Sequence, residues 1–267
     1  MQTISFRLTT GDQNYGEVYL PDKFSGKLPV MIHCHGGGMG AHGRLHGSRM
    51  LMAEMGLMRG MASAMFDCFA AGETGGDYGE MTYARWVQNL RDVIDYLATL
   101  DYIDPARICV VGYSCGSTVA LRAAAEYGEK LRCVCCIAAC ATVHIGMWGQ
   151  GGAAKCFVDN LEALLAGERR VLFGVEFDKE FFIDDISNAP VHALHEGKIT
   201  CPVLFLQGLQ DNAYRVSDAR LSYDLMRRKG LPGTLIEYPE GGHGLDEDGV
   251  AEQAVADFYA WLNDIAF

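Results

Sequence analysis

The chain has 267 residues, 49% hydrophobic and 21% charged, and its 22 basic against 34 acidic side chains leave a net charge of −12. This is ordinary globular usage, which excludes disordered, collagen-like and coiled-coil chains, and a chain this long folds without a metal or disulfide staple. The acidic balance repels phosphate backbones and anionic bilayers, so neither nucleic acid nor a membrane is expected as a partner, and no run approaches the ~20 apolar residues of a membrane span.

The opening residues carry no basic segment followed by an apolar stretch and a small-residue cleavage site. A cytoplasmic protein is therefore expected, with its ten cysteines as free thiols. Residues 3–8 and 17–20 read as two strands able to pair through a turn at 11–15. A third strand, at 30–34, runs into His35-Gly36-Gly37-Gly38. A glycine run lets backbone N–H groups approach a developing oxyanion, and Gly37 is the expected donor, with Gly38 as second candidate and substrate contact. The pattern from Gly38 through Gly40 to Gly43 also matches GxGxxG, but it begins four residues past the strand end and the next helix starts after His46, which is the wrong context for a dinucleotide. His33, His35, His42 and His46 have no matching carboxylate or cysteine set, so no metal and no cofactor is expected.

A fourth strand follows at 62–66, then a helix marked by Leu90, Val93, Ile94 and Leu97. The fifth strand, at 108–111, leads into Gly112-Tyr113-Ser114-Cys115-Gly116 and an alanine-rich helix over 117–126. GxSxG occurs by chance in about one such chain in eight, so the context decides, and strand, sharp turn and helix are what a nucleophile elbow requires. Cys115 is the rival nucleophile, but it is flanked at two residues by Tyr113 and Ser117 rather than glycines. Ser114 is selected, and Cys115 is expected to supply a backbone N–H to the oxyanion.

The sixth strand, at 133–138, uses Cys133, Cys135 and Cys136 as small hydrophobes, with Cys140 just beyond. Residues 143–200 break the rhythm with no convincing strand and read as an insertion over one end of the sheet. Trp148, Phe157, Phe173, Phe177, Phe181 and Phe182 make it dense in aromatics, with Trp148 and Phe181 as expected substrate contacts. A strand at 203–206 then precedes Asp211, a helix contains Leu221, Leu225 and Met226, and a strand at 234–238 precedes Glu240-Gly241-Gly242-His243-Gly244. The order Ser, acid, His assigns Asp211 and His243 to a triad with Ser114. Asp184, Asp185, Asp246 and Asp248 read as surface charges. A last helix covers 250–265.

Several stretches resemble the α/β-hydrolase superfamily. They are Thr74-Gly75-Gly76-Asp77-Tyr78 with Met81-Thr82, Val110-Val111-Gly112-Tyr113-Ser114, Phe181-Phe182-Ile183-Asp184-Asp185 with Pro190, residues 203–211, and residues 239–244. Within that superfamily the chain most resembles the cinnamoyl and feruloyl esterases of bacteria, near the dienelactone hydrolases and prolyl-oligopeptidase-type catalytic domains. The resemblance implies an α/β fold with a mainly parallel eight-stranded sheet, helices on both faces, and a cap formed by the insertion. The core would be residues 1–142 and 201–267, and the cap residues 143–200. It also implies Ser114, Asp211 and His243 as nucleophile, acid and base, with Gly37 and Cys115 as oxyanion donors. Gly37 and Gly38 replace a bulkier pair, Ser117 replaces a second glycine after the elbow, and the cap sequence barely matches.

The expected activity is metal-free hydrolysis of carboxylic esters of small acyl groups, the partner being a small-molecule ester. Small-peptide hydrolysis ranks lower, because no second domain is expected ahead of the catalytic one. A non-catalytic ligand-binding protein on the same fold is the third reading. The oligomeric state, a homodimer included, is left open.

Overall fold

A computed structural model describes residues 1–37, 45–142, 152–172 and 174–267. Gly38, Trp148 and Phe173, the glycine pattern of residues 38–43, His42 and His144 lie outside the described residues. The strands are β1 (Gln2–Arg7), β2 (Tyr15–Leu20), β3 (Leu28–Cys34), β4 (Ala62–Phe66), β5 (Ile103–Tyr113), β6 (Cys133–Ile137), β7 (Arg170–Leu172), β8 (Val175–Phe177), β9 (Val203–Gly208) and β10 (Gly233–Tyr238). The helices are α1 (Gly47–Met58), α2 (Tyr83–Ala98), α3 (Cys115–Tyr127), α4 (Gly152–Asp159), α5 (Leu161–Leu165), α6 (Lys179–Ser187), α7 (Pro190–Glu196), α8 (Val216–Arg228) and α9 (Val250–Asp264).

Eight strands form one sheet in the order β1-β2-β4-β3-β5-β6-β9-β10. β2 runs antiparallel to both its neighbours, and β1 pairs with it as the expected hairpin, from Gln2 opposite Leu20 to Arg7 opposite Tyr15. The other pairs are parallel. Parallel strands are covered on both faces, which is why their runs are almost wholly apolar rather than alternating. Val30, Ile32, Val110, Val134, Cys136, Val203 and Phe205 face one layer of core together with Trp86, Leu90 and Ile94 of α2 and Val119 of α3. Their neighbours Met31, Cys109, Val111, Cys133, Cys135, Leu204 and Leu206 face the other, with Met52 of α1 and Phe258 and Leu262 of α9.

The cysteine-rich strand is thus a core strand. Burial pushes the thiols of Cys133, Cys135 and Cys136 far above the usual range, and that of Cys201 up to about 12. Among the described residues, no three His, Cys, Asp or Glu side chains group as metal ligands, and no helix is long and apolar enough to cross a membrane.

Between β6 and β9 the structure departs from expectation in two ways. First, β7 and β8 pair as a small antiparallel hairpin; strands of three residues are too short to leave a period-two signature. Asp178, just past β8, donates its N–H to the Gly79 carbonyl at 2.9 Å, and Arg169 bridges Asp77 and Asp178 at 2.7 and 2.9 Å. Second, Asp184 is not a surface charge. Its carboxylate accepts both Arg122 nitrogens at 2.9 and 3.0 Å, and the two side chains are 9% and 7% exposed. It also accepts the Ala84 N–H at 2.8 Å and the Asn188 amide at 3.0 Å. Ala84 lies in the first turn of α2, where an N–H has no partner within the helix, so a carboxylate from α6 supplies one. Asp185 is likewise buried, at 3% exposure.

Removing one partner of such a pair leaves a buried, uncompensated charge. Asp184→Asn is expected to lower unfolding free energy by about 3 kcal/mol, read by urea titration. Arg122→Met combined with Asp184→Leu should recover most of that loss, since of the two other donors it frees, the Ala84 N–H and the Asn188 amide, the second is exposed to water.

Candidate active site

Ser114 sits between the end of β5 and the start of α3 at φ +54°, ψ −121°. A non-glycine residue there is strained, at a cost on the order of 1–3 kcal/mol, and persists only where its surroundings over-determine it. Here they do. Its N–H donates to the Ile137 carbonyl at 3.0 Å, and its carbonyl accepts the Ser117 N–H at 2.8 Å. The Ser117 hydroxyl is shared between the carbonyls of Gly112 at 3.0 Å and Ile137 at 2.9 Å, tying the elbow to β6. A second glycine at 117 would have no such bond. The flanking glycines are steric requirements: a Cβ at Gly112 would lie 2.4 Å from the Gly116 carbonyl oxygen, and one at Gly116 would lie 2.2 Å from that of Cys34.

The structure brings the three expected residues together. His243 Nε2 lies 3.0 Å from Ser114 Oγ, and His243 Nδ1 lies 3.0 Å from both Asp211 oxygens. The Asp211 side chain has no exposed surface. Burial favours its neutral form, yet the hydrogen bond and charge of His243 and the N–H groups of Tyr214 and Ala213 outweigh it, and the carboxyl stays below its ordinary range. Those N–H groups reach Oδ1 at 2.9 and 2.8 Å, and the Gln207 amide donates to Oδ2 at 3.1 Å. The loops bearing acid and base are joined through their backbones, Leu209 N–H donating to Tyr238 and Gln210 N–H to Gly241, both at 2.9 Å. That approach is why residue 208 is glycine: a Cβ there would lie 2.2 Å from the Gly241 oxygen.

The loop after β3 crosses the elbow. A Cβ at Gly36 would stand 3.3 Å from Ser114 Cβ, and one at Gly37 would stand 2.7 Å from Cys115 Sγ and 3.3 Å from the Tyr78 hydroxyl. Gly37 and Cys115 are thus neighbours beside Ser114. His35 holds this loop. Its Nε2 accepts the Cys68 N–H at 3.0 Å, so Nδ1 carries the proton and donates to the Gly36 carbonyl at 2.6 Å, with the ring edge-on to Trp86. His33 is a core residue on Ser63 at 3.1 Å, driven down to about 3 by burial and then by the nearby Arg49 charge. These two of the four histidines considered for a metal therefore have other work.

Phe181 is buried, stacked on Phe177 at 4.1 Å between ring centres and 5.9 Å from Tyr83. It meets the elbow through Tyr83, whose hydroxyl donates to Cys115 Sγ at 3.3 Å. Asp246 is a tie rather than a free charge: it accepts the Ser48 N–H at 2.9 Å, while the Ser48 hydroxyl donates to the Gly244 carbonyl at 2.9 Å, fixing the His243 loop to α1. Sequence reasoning missed Tyr83 and Tyr214, which gather at the elbow from α2 and the acid loop. No local motif marks either.

Gly116→Ala is expected to leave little folded protein, or a fold with the elbow displaced and Ser114 unreactive. The yield of soluble protein and the loss of the near-ultraviolet circular dichroism signal would show which.

Residues 49–266 match the model of the prolyl oligopeptidase family. Dipeptidyl-peptidase 5 of Porphyromonas endodontalis is 23% identical over 278 residues, covering 96% of this chain and 36% of that protein. The chain therefore spans about a third of the length of that curated relative. Among solved structures, Est1E from Butyrivibrio proteoclasticus with ferulic acid bound has a TM-score of 0.72 at 17% identity, over 98% of this chain and 99% of that one. DcsB in complex with a substrate analogue has a TM-score of 0.75 at 17% identity, over 100% and 99%. Mouse alpha/beta hydrolase domain-containing protein 10 has 0.69 at 17%, over 98% and 99%. These three likenesses are of fold. The match over residues 49–266 makes the chain a member of the prolyl oligopeptidase family, and the likenesses, with the sheet order, show the α/β-hydrolase fold.

Proposed function

We propose that the protein hydrolyses carboxylic esters of small acyl groups, short aliphatic or hydroxycinnamate-like, through an acyl-enzyme on Ser114. The observation that carries this reading is the unbroken contact from Asp211 through His243 to Ser114, with 3.0 Å at each step. The Ser114 hydroxyl attacks the ester carbonyl and gives its proton to His243 Nε2, while Asp211 holds the imidazole in the tautomer that can accept it. The N–H groups of Gly37 and Cys115 receive the oxyanion. His243 returns the proton to the leaving alcohol, and a water then repeats the sequence to release the acid.

Residues 143–200 act as the cap, in which Phe177, Phe181 and Phe182 form a continuous cluster reaching Tyr78 and Tyr83 beside Gly37 and Cys115. An aromatic wall favours compact or planar acyl groups, each well-placed ring contact contributing roughly 0.5 to 1.5 kcal/mol. Est1E, whose structure holds ferulic acid, supports an ester substrate. Hydrolysis of small peptides is the second reading, favoured by family membership and by the likeness to a dipeptidyl-peptidase.

Ser114→Ala should cut turnover of short aryl esters by several orders of magnitude with an unchanged melting temperature, and should abolish labelling by a fluorophosphonate; a ligand-binding protein would not be labelled at all. The substrate class is decided by kcat/KM across short aliphatic esters, hydroxycinnamate esters, aminoacyl anilides and long-chain glycerides, with the esters of small acids expected first. A tenfold preference for anilides, about 1.4 kcal/mol in transition-state binding, would replace the ester reading by the peptide one. The acid limb of log(kcat/KM) against pH should fall with a slope of one. Protonation of His243 alone removes the base, because Asp211 is held below the usual carboxylate range and remains ionised. A slope of two would mean that Asp211 titrates in the same range.

A further inference from the structure

Gln207 lies near the end of β9, a strand in which every residue is buried. By the two-residue period its side chain follows Val203 and Phe205 into the core layer that holds Ala219 and Met226 of α8. An apolar side chain is what that position calls for. The glutamine there has no exposed surface, and its Oε1 has no hydrogen-bond partner among the described residues. A buried amide with an orphaned oxygen is destabilising where it lies, so its use must come from the nitrogen.

That nitrogen spends both of its protons. One goes to the Gly208 carbonyl at 3.0 Å and the other to Asp211 Oδ2 at 3.1 Å. Turned over, the amide would set Oε1 against two acceptors, so the chemistry of its neighbours fixes which way it points. The Gly208 carbonyl also accepts the Asp211 N–H at 3.4 Å and does not depend on the glutamine. The carboxylate does. Its Oδ1 accepts the N–H groups of Ala213 and Tyr214 at 2.8 and 2.9 Å, whereas Oδ2 has Gln207 as its one anchor besides His243 among the described residues. His243 Nδ1 stands 3.0 Å from each oxygen, astride the group. With Oδ1 pinned and Oδ2 released, the carboxylate can turn about Oδ1, and the imidazole that straddles both oxygens turns with it.

We propose that Gln207 is a positioning residue for the triad: its amide fixes the rotation of the Asp211 carboxylate, and through it the direction in which His243 Nε2 faces Ser114 Oγ. It occupies a core position for this role and not for stability. Gln207 touches neither the substrate nor the reacting atoms, and no bond to it forms or breaks. Proton transfer needs Nε2 in line with Ser114 Oγ and then with the leaving alcohol, so a turned imidazole slows the chemical step while leaving the binding of the ester alone.

This inference rests on the acyl-transfer reading of Ser114, and the test separates the two. Gln207→Met keeps the length of the side chain and removes the amide. It is expected to lower kcat for a short aryl ester by about 10- to 100-fold with KM within about threefold. The melting temperature should stay within about 3 °C of the parent, because the orphaned oxygen leaves together with the donor. The downfield proton resonance of the hydrogen bond between His243 and Asp211, identified by its loss in His243→Ala, should shift or broaden. Asn14→Leu is the matched control. Asn14 is also a fully buried amide with an orphaned oxygen, but its nitrogen donates to the Asp67 carbonyl at 2.9 Å, beside β2 and three strands from β5 in the sheet. Its loss is expected to leave kcat within about twofold and the resonance unmoved. Parental kcat in Gln207→Met, a raised KM with unchanged kcat, or an unmoved resonance overturns the inference and leaves the acyl-transfer reading standing. A large fall in melting temperature or a failure to fold in both Gln207→Met and Gln207→Leu also overturns it, since the amide is then needed for the fold. A parent protein that fluorophosphonate does not label overturns both readings.

Discussion

A serine held at φ +54° between two strands and a helix is the constraint from which the rest of this site follows. The backbone can make that turn only if β3, β5 and α3 approach to van der Waals contact, which leaves no room for a side chain at 112 or 116. The strain is held by bonds that cross elements: Ser114 N–H to Ile137, and the Ser117 hydroxyl between Gly112 and Ile137. Because β5 and β6 supply those acceptors, the elbow is tied to the centre of the sheet. The loop after β3 is then forced across Ser114, and His35, bonded to Gly36 and Cys68, keeps it there.

Beside this fixed point the acid of the site is deeply held. Asp211 has no exposed side-chain surface and is satisfied by two backbone N–H groups, one amide and one imidazole. That arrangement uses short loops after β9 and β10 whose backbones are bonded to each other, so acid and base move as one unit. Arg122 and Asp184 form another buried charge pair, which joins α6 to α3 and to the first turn of α2. A carboxylate on the segment between β6 and β9 thus completes a helix that lines the other side of the elbow, and the position of Tyr83 at the start of that helix depends on it.

The sheet and the order of its chemistry were legible in the sequence because each depends on local pattern. Apolar runs of four to six residues separated by helical periodicity can only be strands of a covered parallel sheet. GxSxG after such a strand, an aspartate after a later one and Gly-Gly-His-Gly after the last are likewise local, and the three side chains meet because the parallel strands deliver their C-terminal ends to one edge. The cysteines of β6 were readable as small hydrophobes for the same reason.

What only the tertiary structure decided are the contacts between residues far apart in the chain that carry no pattern of their own. Asp184 looks like one acid among many until Arg122, 62 residues away, is seen to pair with it. The hairpin of β7 and β8 is too short to leave a periodic trace. Asp246 reads as a surface charge until Ser48, 198 residues earlier, is found donating to it. Tyr83 and Tyr214 sit in unrelated stretches, and nothing in either stretch says that their hydroxyls meet at Cys115. Hydrophobic period records which way a side chain faces, and motif spacing records the turn it sits in. Which polar groups meet inside is settled only when the layers pack, because a buried donor or acceptor must find its partner wherever the fold has brought one.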